Sequence, residues 1–284
     1  MKINFILFHK GSNFPEYIKI CIDQIQKTQT NYKIYFLTDL KITNSEDIDI
    51  IDINQYNLPL TDVTYYTSHE DPLWRTALER IFYINAFINH YNLTNSVHFD
   101  NDVLIYKNIT EISTLLQDHV PNIGLTPHKE HELVCGFMFL KNNNSLEEVC
   151  RELLKLVVLG EDKLQQMLPG GMPHEMRLLG HLQANILDPD IITTLPVSPL
   201  EPGNNMFTLF DGVFDPSSYG QFFGNDNQIH PGDANRYIDR HINKEFVPIF
   251  DKNTHTPYIQ WGDKQVPIFN LHIHNKKLHE YSIR

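Results

Sequence analysis

Two carboxylates set one residue apart between two apolar runs constrain this chain more than any other feature. Residues 96–106 read S-V-H-F-D-N-D-V-L-I-Y, so Val97 and Phe99 lead into Asp100 and Asp102, and Val103, Leu104 and Ile105 follow at once. A short apolar segment of this kind is the pattern of a buried strand, and acids at its end are delivered to the edge of a sheet. On extended backbone, side chains two residues apart share a face, so both carboxylates address one point. Oxygen ligands arranged this way suit a hard divalent cation, Mg²⁺ or Mn²⁺, that keeps positions open for substrate phosphates. The plain alternative is a strand end running into an Asp/Asn turn, because D-x-D triplets also arise by chance.

The flanking sequence favours the first reading. Leu78, Ile81, Ile84 and Ile88 recur at helical spacing within residues 74–88, which predicts a core-facing helix feeding straight into the acidic strand. Arg80 on that helix is a ready partner for phosphate or carboxylate, whereas Arg75 is equally well explained by an i,i+4 pair with Glu79.

The first third of the chain reads as strand, helix, strand. Residues 3–8 are β-formers, 12–29 carry a helical stripe of Tyr17, Ile18, Cys21, Ile22 and Ile25, and 33–37 form a second strand. That order implies a right-handed crossover in a parallel sheet, where ligands sit outside the carboxyl ends of the strands. Phe8, His9, Thr38 and Asp39 are therefore placed to hold a nucleotide base and ribose, with Asp100 and Asn101 at the same edge. No glycine-rich dinucleotide fingerprint or P-loop is present. Residues 47–53 alternate like a third strand, and 54–71 read as a loop over the nucleotide. Strands are expected at 123–126, 136–140 and 191–195, and Ser145-Leu146-Glu147-Glu148 has the form of a capping box before a helix ending near Gly160.

Three later segments carry polar groups of interest. A Gly/Pro hinge at 168–173 runs into His174 and Glu175, in the first turn of a helix where a carboxylate meets the positive dipole end. The aromatic stretch 207–224 holds Asp211 and Gln221, and aromatic faces with a few polar groups are what sugars pack against, although such a stripe also suits a core. Near the end, His272 and His274 share a face by period-two alternation and precede Lys276 and Lys277. An imidazole is a good added ligand for Mn²⁺, and the lysines can neutralise a diphosphate leaving group.

The run E-R-I-F, then V-H-F-D-N-D-V-L-I-Y, then G-F-M-F-L-K-N at residues 136–142 resembles the metal-dependent nucleotide-sugar glycosyltransferases of the GT-A fold. Val134-Cys135-Gly136 departs from the Asn-Ser-Gly or Asn-Ala-Gly of many relatives, and the tail departs in spacing from the H-x-x-G-x-x-K of glycogenin-like transferases. The resemblance implies an α/β chain of GT-A type, a Rossmann-like, mixed but mostly parallel central sheet flanked by helices, with a C-terminal acceptor-side annex. It implies one domain over 1–284, with a nucleotide-binding half (1–106) and an acceptor-side half (107–284) that ends in a metal/phosphate segment. The implied activity is Mn²⁺- or Mg²⁺-dependent transfer of a hexose-type sugar from a UDP-sugar to a saccharide or glycan hydroxyl. Asp100, Asp102 and one of His272 and His274 would hold the metal, with His272 favoured. Arg80, Lys276 and Lys277 would meet the diphosphate, and Gly136, His174 and Gln221 would face the acceptor. Glu175 matches the general base of inverting members in position, with Asp211 as the second candidate. A hydrolase using the same centre, or a non-catalytic sugar- or nucleotide-binding relative, is also compatible with these residues.

Composition narrows the partners. With 35 acidic against 23 basic residues and a net charge of −12, the chain lacks the positive field that nucleic-acid binding needs. No apolar run is long enough to span a membrane, and the start lacks the pattern of a signal peptide. Three cysteines without C-x-x-C spacing point to free thiols in a reducing, cytoplasmic setting.

Overall fold

The structure, a computed structural model, describes residues 1–43, 46–60, 63, 72–128, 131–168, 172–200, 205–224 and 247–283. Strand β1 (Ile3–His9), helix α1 (Glu16–Thr28) and strand β2 (Tyr32–Thr38) form the expected parallel crossover, with His9 paired to Thr38 at its carboxyl end. Side chains along β1 alternate between two cores. Ile3, Phe5 and Leu7 pack with Ile18, Cys21 and Ile25 of α1, whereas Ile6 and Phe8 join the opposite core. A strand buried on both faces reads as a continuous apolar run, which is how residues 5–8 read.

Strand β3 (Ile48–Asp52) extends the sheet beyond β2, and helix α2 (Leu73–His90) lays Leu78, Ile81, Ile84 and Ile88 into the second core. Strand β4 (Ser96–His98) then pairs in parallel with β1. The acids follow on a turn rather than on extended backbone, with the Val103 amide donating to the Asp100 carbonyl at 3.0 Å. Asp-Asn-Asp is turn chemistry, and here it redirects the chain, so that β5 (Val103–Ile105) leaves the main sheet.

Helix α3 (Ile109–His119), strands β6 (Ile123–Pro127) and β7 (Leu133–Leu140), helices α4 (Glu147–Val157), α5 (Glu161–Met167) and α6 (Glu175–Asn185), and strand β8 (Ile192–Thr194) complete the layers. The seven-stranded order is β3-β2-β1-β4-β7-β6-β8, with β7 antiparallel to both neighbours and the other pairings parallel. This is a mixed, mostly parallel α/β sheet flanked by helices. The capping box at residue 145 does not form. The Ser145 hydroxyl accepts the Asn142 amide at 2.9 Å, and Leu146 occupies the N-cap of α4 without a side-chain bond.

Beyond β8 the aromatic segment forms two short helices, α7 (Met206–Phe210) and α8 (Tyr219–Gly224). Strands β9 (Pro248–Asp251), β10 (Thr256–Trp261) and β11 (Lys264–Pro267) make a separate antiparallel sheet. Strand β12 (Asn270–His272) returns to pair antiparallel with β5, setting His272 opposite Val103. The tail is thereby joined by backbone to the acidic turn, and the Ile273 amide donates to the Asp102 carbonyl at 2.9 Å.

Most of the expected nucleotide loop at 54–71, and residues 169–171 of the hinge at 168–173, lie outside the described residues. Among those described, no helix is long and apolar enough to cross a membrane, and Cys21, Cys135 and Cys150 are buried free thiols.

Candidate functional site

The β5–β12 pairing gathers Asp100, Asp102 and His272, each offering one ligand atom within 4.8 Å of the other two. His272 Nε2 lies 3.1 Å from Asp102 Oδ1 and 3.7 Å from Asp100 Oδ2. The outer oxygens carry cations. Arg80 donates to Asp100 Oδ1, and Lys276 donates to Asp102 Oδ2. Each carboxylate thus turns one oxygen to a basic side chain and the other to the imidazole. Burial works against the charge of Asp102, but His272 and Lys276 outweigh it and hold that carboxyl well below the usual range. Two hard oxygens and one imidazole nitrogen converging at a strand edge are a donor set that fits Mn²⁺ or Mg²⁺.

Behind this cluster Arg80 is a buried hub. Besides Asp100 it faces Glu175, with Nη2 3.9 Å from Oε1. Burial and then the Arg80 charge push His98 down to about 3, so that imidazole is neutral, its Nδ1 bonded to the Ile6 carbonyl at 2.7 Å. Burial pushes the Cys135 thiol up to about 11, with Arg80 opposing. Glu175 opens α6 and is buried, and burial raises its carboxyl although Arg80 pulls the other way. Among the described residues, Glu175 Oε2 and Arg80 Nε are buried without a hydrogen-bond partner. Beside Glu175, the ring of Trp74 stacks on His174 at 4.9 Å and 24°, and His174 Nε2 lies 3.9 Å from Glu132 Oε1.

The remaining candidates are distributed along the same sheet edge and the tail. Phe8 stacks on Tyr83 at 5.5 Å, and its carbonyl accepts from Asn101 Nδ2 at 2.7 Å, which ties β1 to the acidic turn. His9 bonds through Nε2 to the Asn13 carbonyl, and Asp39 accepts the Gly11 amide at 3.0 Å. Thr38 is fully buried and its hydroxyl accepts the Leu40 amide, so its side chain serves the turn. A cleft of about 420 Å³ opens at these strand ends, lined by Asp39, Leu40, Asp52 and Asn54 among others. Gly136 lies under His272, where a Cβ would sit 3.0 Å from Nδ1. Gln221 Nε2 is 3.2 Å from His274 Nε2. Lys277 is exposed, its amide donating to Asn275 Oδ1. Asp211 is not brought to the cluster by any described contact. It is exposed at the end of α7 and pairs with Lys264 of β11.

Sequence reasoning passed over Asp215 and Ser217. Asp215 is fully buried and accepts four backbone amides: Ser218 at 2.8 Å and Tyr219 at 2.9 Å on Oδ1, Gly220 at 2.9 Å and His272 at 2.8 Å on Oδ2. One carboxylate therefore starts α8 and fixes β12 to it. Ser217 Oγ is 3.0 Å from His272 Nδ1 and 2.8 Å from His274 Nε2. An Asp followed by Pro-Ser-Ser ahead of an aromatic run is an N-cap signal that could have marked the first; nothing local marks the second.

Neither a protein-family model nor a curated protein matches the chain. Its structural neighbours are glycosyltransferases. They include mouse xyloside xylosyltransferase 1 (11% identity, TM-score 0.47, 69% of this chain and 86% of that one). GlyE of Streptococcus pneumoniae TIGR4 has 11% identity and TM-score 0.45, over 99% of this chain and 60% of that one. The bifunctional WbbM matches at 11% identity and TM-score 0.44, over 69% of this chain and 39% of its own length. Likeness at this level leaves the chemistry to the side chains.

Proposed function

We propose that this chain is a glycosyltransferase that moves a hexose from a UDP-sugar to a hydroxyl of a saccharide or glycan with the help of Mn²⁺ or Mg²⁺. The observation that carries the reading is the meeting of Asp100 and Asp102 with His272, 3.7 and 3.1 Å from its Nε2, at the carboxyl edge of a mostly parallel sheet. Those three side chains would hold the cation, which when bound supplies charge neutralisation for the diphosphate.

The chain's own groups do the rest. Lys276, released from Asp102, and Lys277 supply further positive charge to the departing diphosphate, a contribution of about 3–4 kcal/mol per well-placed donor. Phe8, His9 and Asp39 offer the strand-end surface for base and ribose. Arg80 holds Asp100 in place through their ion pair while facing Glu175. For inversion at the sugar, Glu175 takes the proton of the acceptor hydroxyl as that oxygen bonds to C1 and the C1–O bond to diphosphate breaks. A carboxyl raised by burial, with one oxygen unpartnered among the described residues, suits that role better than Asp211, which is exposed and ion-paired. His174, stacked on Trp74, together with Gly136 and Gln221, is assigned to the acceptor.

The test is a thermal-shift screen of nucleotide sugars with and without Mn²⁺, followed by product analysis. The expected result is a UDP-linked shift removed by EDTA and by Asp102→Asn, and sugar transfer that needs an acceptor. Equal shifts with every nucleotide, no shift at all, or release of free sugar at full rate without acceptor would each overturn the reading.

A further inference from the structure

His272 presents Nε2 to Asp100 and Asp102, and the question is what sets that ring. Its other nitrogen, Nδ1, is 3.0 Å from Ser217 Oγ, which in turn is 2.8 Å from His274 Nε2. Gln221 Nε2 reaches the same His274 nitrogen at 3.2 Å. The two imidazole rings stack at 4.1 Å and 22°, and the backbone of Gly136 closes the far side of Nδ1.

The donor order follows from the inventory of hydrogens. An amide nitrogen only donates, so His274 Nε2 facing Gln221 is an acceptor and carries no proton. The Ser217 hydroxyl therefore donates to His274. A hydroxyl has one hydrogen, so toward His272 the same oxygen can only accept. A proton of His272 then sits on Nδ1, and Nε2 faces two carboxylates, either protonated as the partner that lowers the Asp102 carboxyl or with its lone pair on a cation. Three electron-rich atoms facing one another are stable only with a cation or an added proton among them.

From this we infer that Ser217 and His274 are positioning residues that fix the orientation and tautomer of His272 as the imidazole ligand of a divalent cation, and that His274 is not itself a ligand. The inference rests on the cation-binding reading proposed above. Ser217 sits at φ 71°, the left-handed region that a non-glycine residue occupies at a cost, and the Asp215 carboxylate holds that turn through the amides of Ser218, Tyr219 and Gly220. The turn puts the hydroxyl between the two rings.

The experiment is Mn²⁺ affinity from the electron-paramagnetic-resonance signal of free Mn²⁺, without nucleotide, on the full chain and on Ser217→Ala, His274→Leu and His274→Gln, each checked by circular dichroism for unchanged folding. Loss of such an outer partner weakens metal binding about 10- to 100-fold, which is expected for Ser217→Ala and His274→Leu. His274→Gln, whose carbonyl oxygen can accept the Ser217 hydrogen, should return to near wild-type affinity. Long-range ¹H–¹⁵N spectra of the Mg²⁺-loaded protein should show His272 protonated on Nδ1 alone, and a mixture in Ser217→Ala. Ser217→Ala and His274→Leu binding as tightly as wild type would overturn the relay while leaving the cation site standing. His274→Gln losing binding as completely as Asp102→Asn would make His274 a ligand and overturn it as well. Wild-type protein that binds no Mn²⁺ would remove the cation reading and the relay together.

Discussion

Asp215→Asn is the substitution whose consequence can be worked out most fully. The carboxylate receives two amides on each oxygen at 2.8–2.9 Å, all of them buried. Asparagine keeps one acceptor and turns an NH₂ toward the other pair, so two donors lose their partner whichever way the amide is placed. If it faces Gly220 and His272, β12 is released from α8; if it faces Ser218 and Tyr219, the first turn of α8 opens. A buried donor left unsatisfied costs about 1–3 kcal/mol, which gives about 2–6 kcal/mol for two. Relief of burying a charge offsets part of this, since burial already raises the Asp215 carboxyl. Urea denaturation of wild type and Asp215→Asn measures the difference. Asp251→Asn is the control, because Asp251 accepts the Asn253 amide in an exposed turn where water replaces a lost acceptor, so the midpoint should move far less than for Asp215→Asn. The variant should also lose affinity for Mn²⁺, because the His272 amide is one of the four donors. A loss under about 1 kcal/mol for Asp215→Asn, with Mn²⁺ binding intact, would refute this account of how the tail is held.

Other substitutions probe the remaining contacts. Gly220→Ala places a methyl 2.1 Å from the His272 carbonyl oxygen, so β12 must shift; denaturation should show a cost of about 1–3 kcal/mol together with weaker Mn²⁺ binding. His98 falls from an ordinary 6.5 to about 3 on folding, so between those values the unfolded chain binds more protons, and stability present above pH 6.5 is lost as pH falls. That effect is bounded at about 5 kcal/mol, and acid unfolding of His98→Gln should be shallower than that of wild type over the same window. Lys276→Met removes the ammonium from Asp102, so Mn²⁺ should bind several-fold more tightly without nucleotide while UDP binds more weakly, both measurable by calorimetry.

Local physics accounts for what was legible in the sequence. Continuous apolar runs and the helical stripe through Leu78, Ile81, Ile84 and Ile88 identify β1, β2 and α2, because burial on one or two faces imposes the period directly. The acids at 100 and 102 stood out for the same reason: carboxylates are out of place against a core unless something compensates for them. The three-stranded sheet of β9, β10 and β11 was not legible, and the aromatic segment became two short helices whose start depends on Asp215. Chain order carries no measure of distance, so only the folded chain could show that Asp211 belongs with Lys264 and not with the cluster.

The sequence by itself determined a parallel crossover core, an acidic pair at one strand end and a histidine pair near the tail, since each is written in neighbours that interact within a few residues. Tertiary structure alone decided that β12 lies on β5, that His272 rather than His274 meets the acids, and that Ser217 stands between the two rings. Those outcomes depend on backbone pairing and hydrogen-bond direction between segments far apart in the chain, and no local pattern of side chains encodes them.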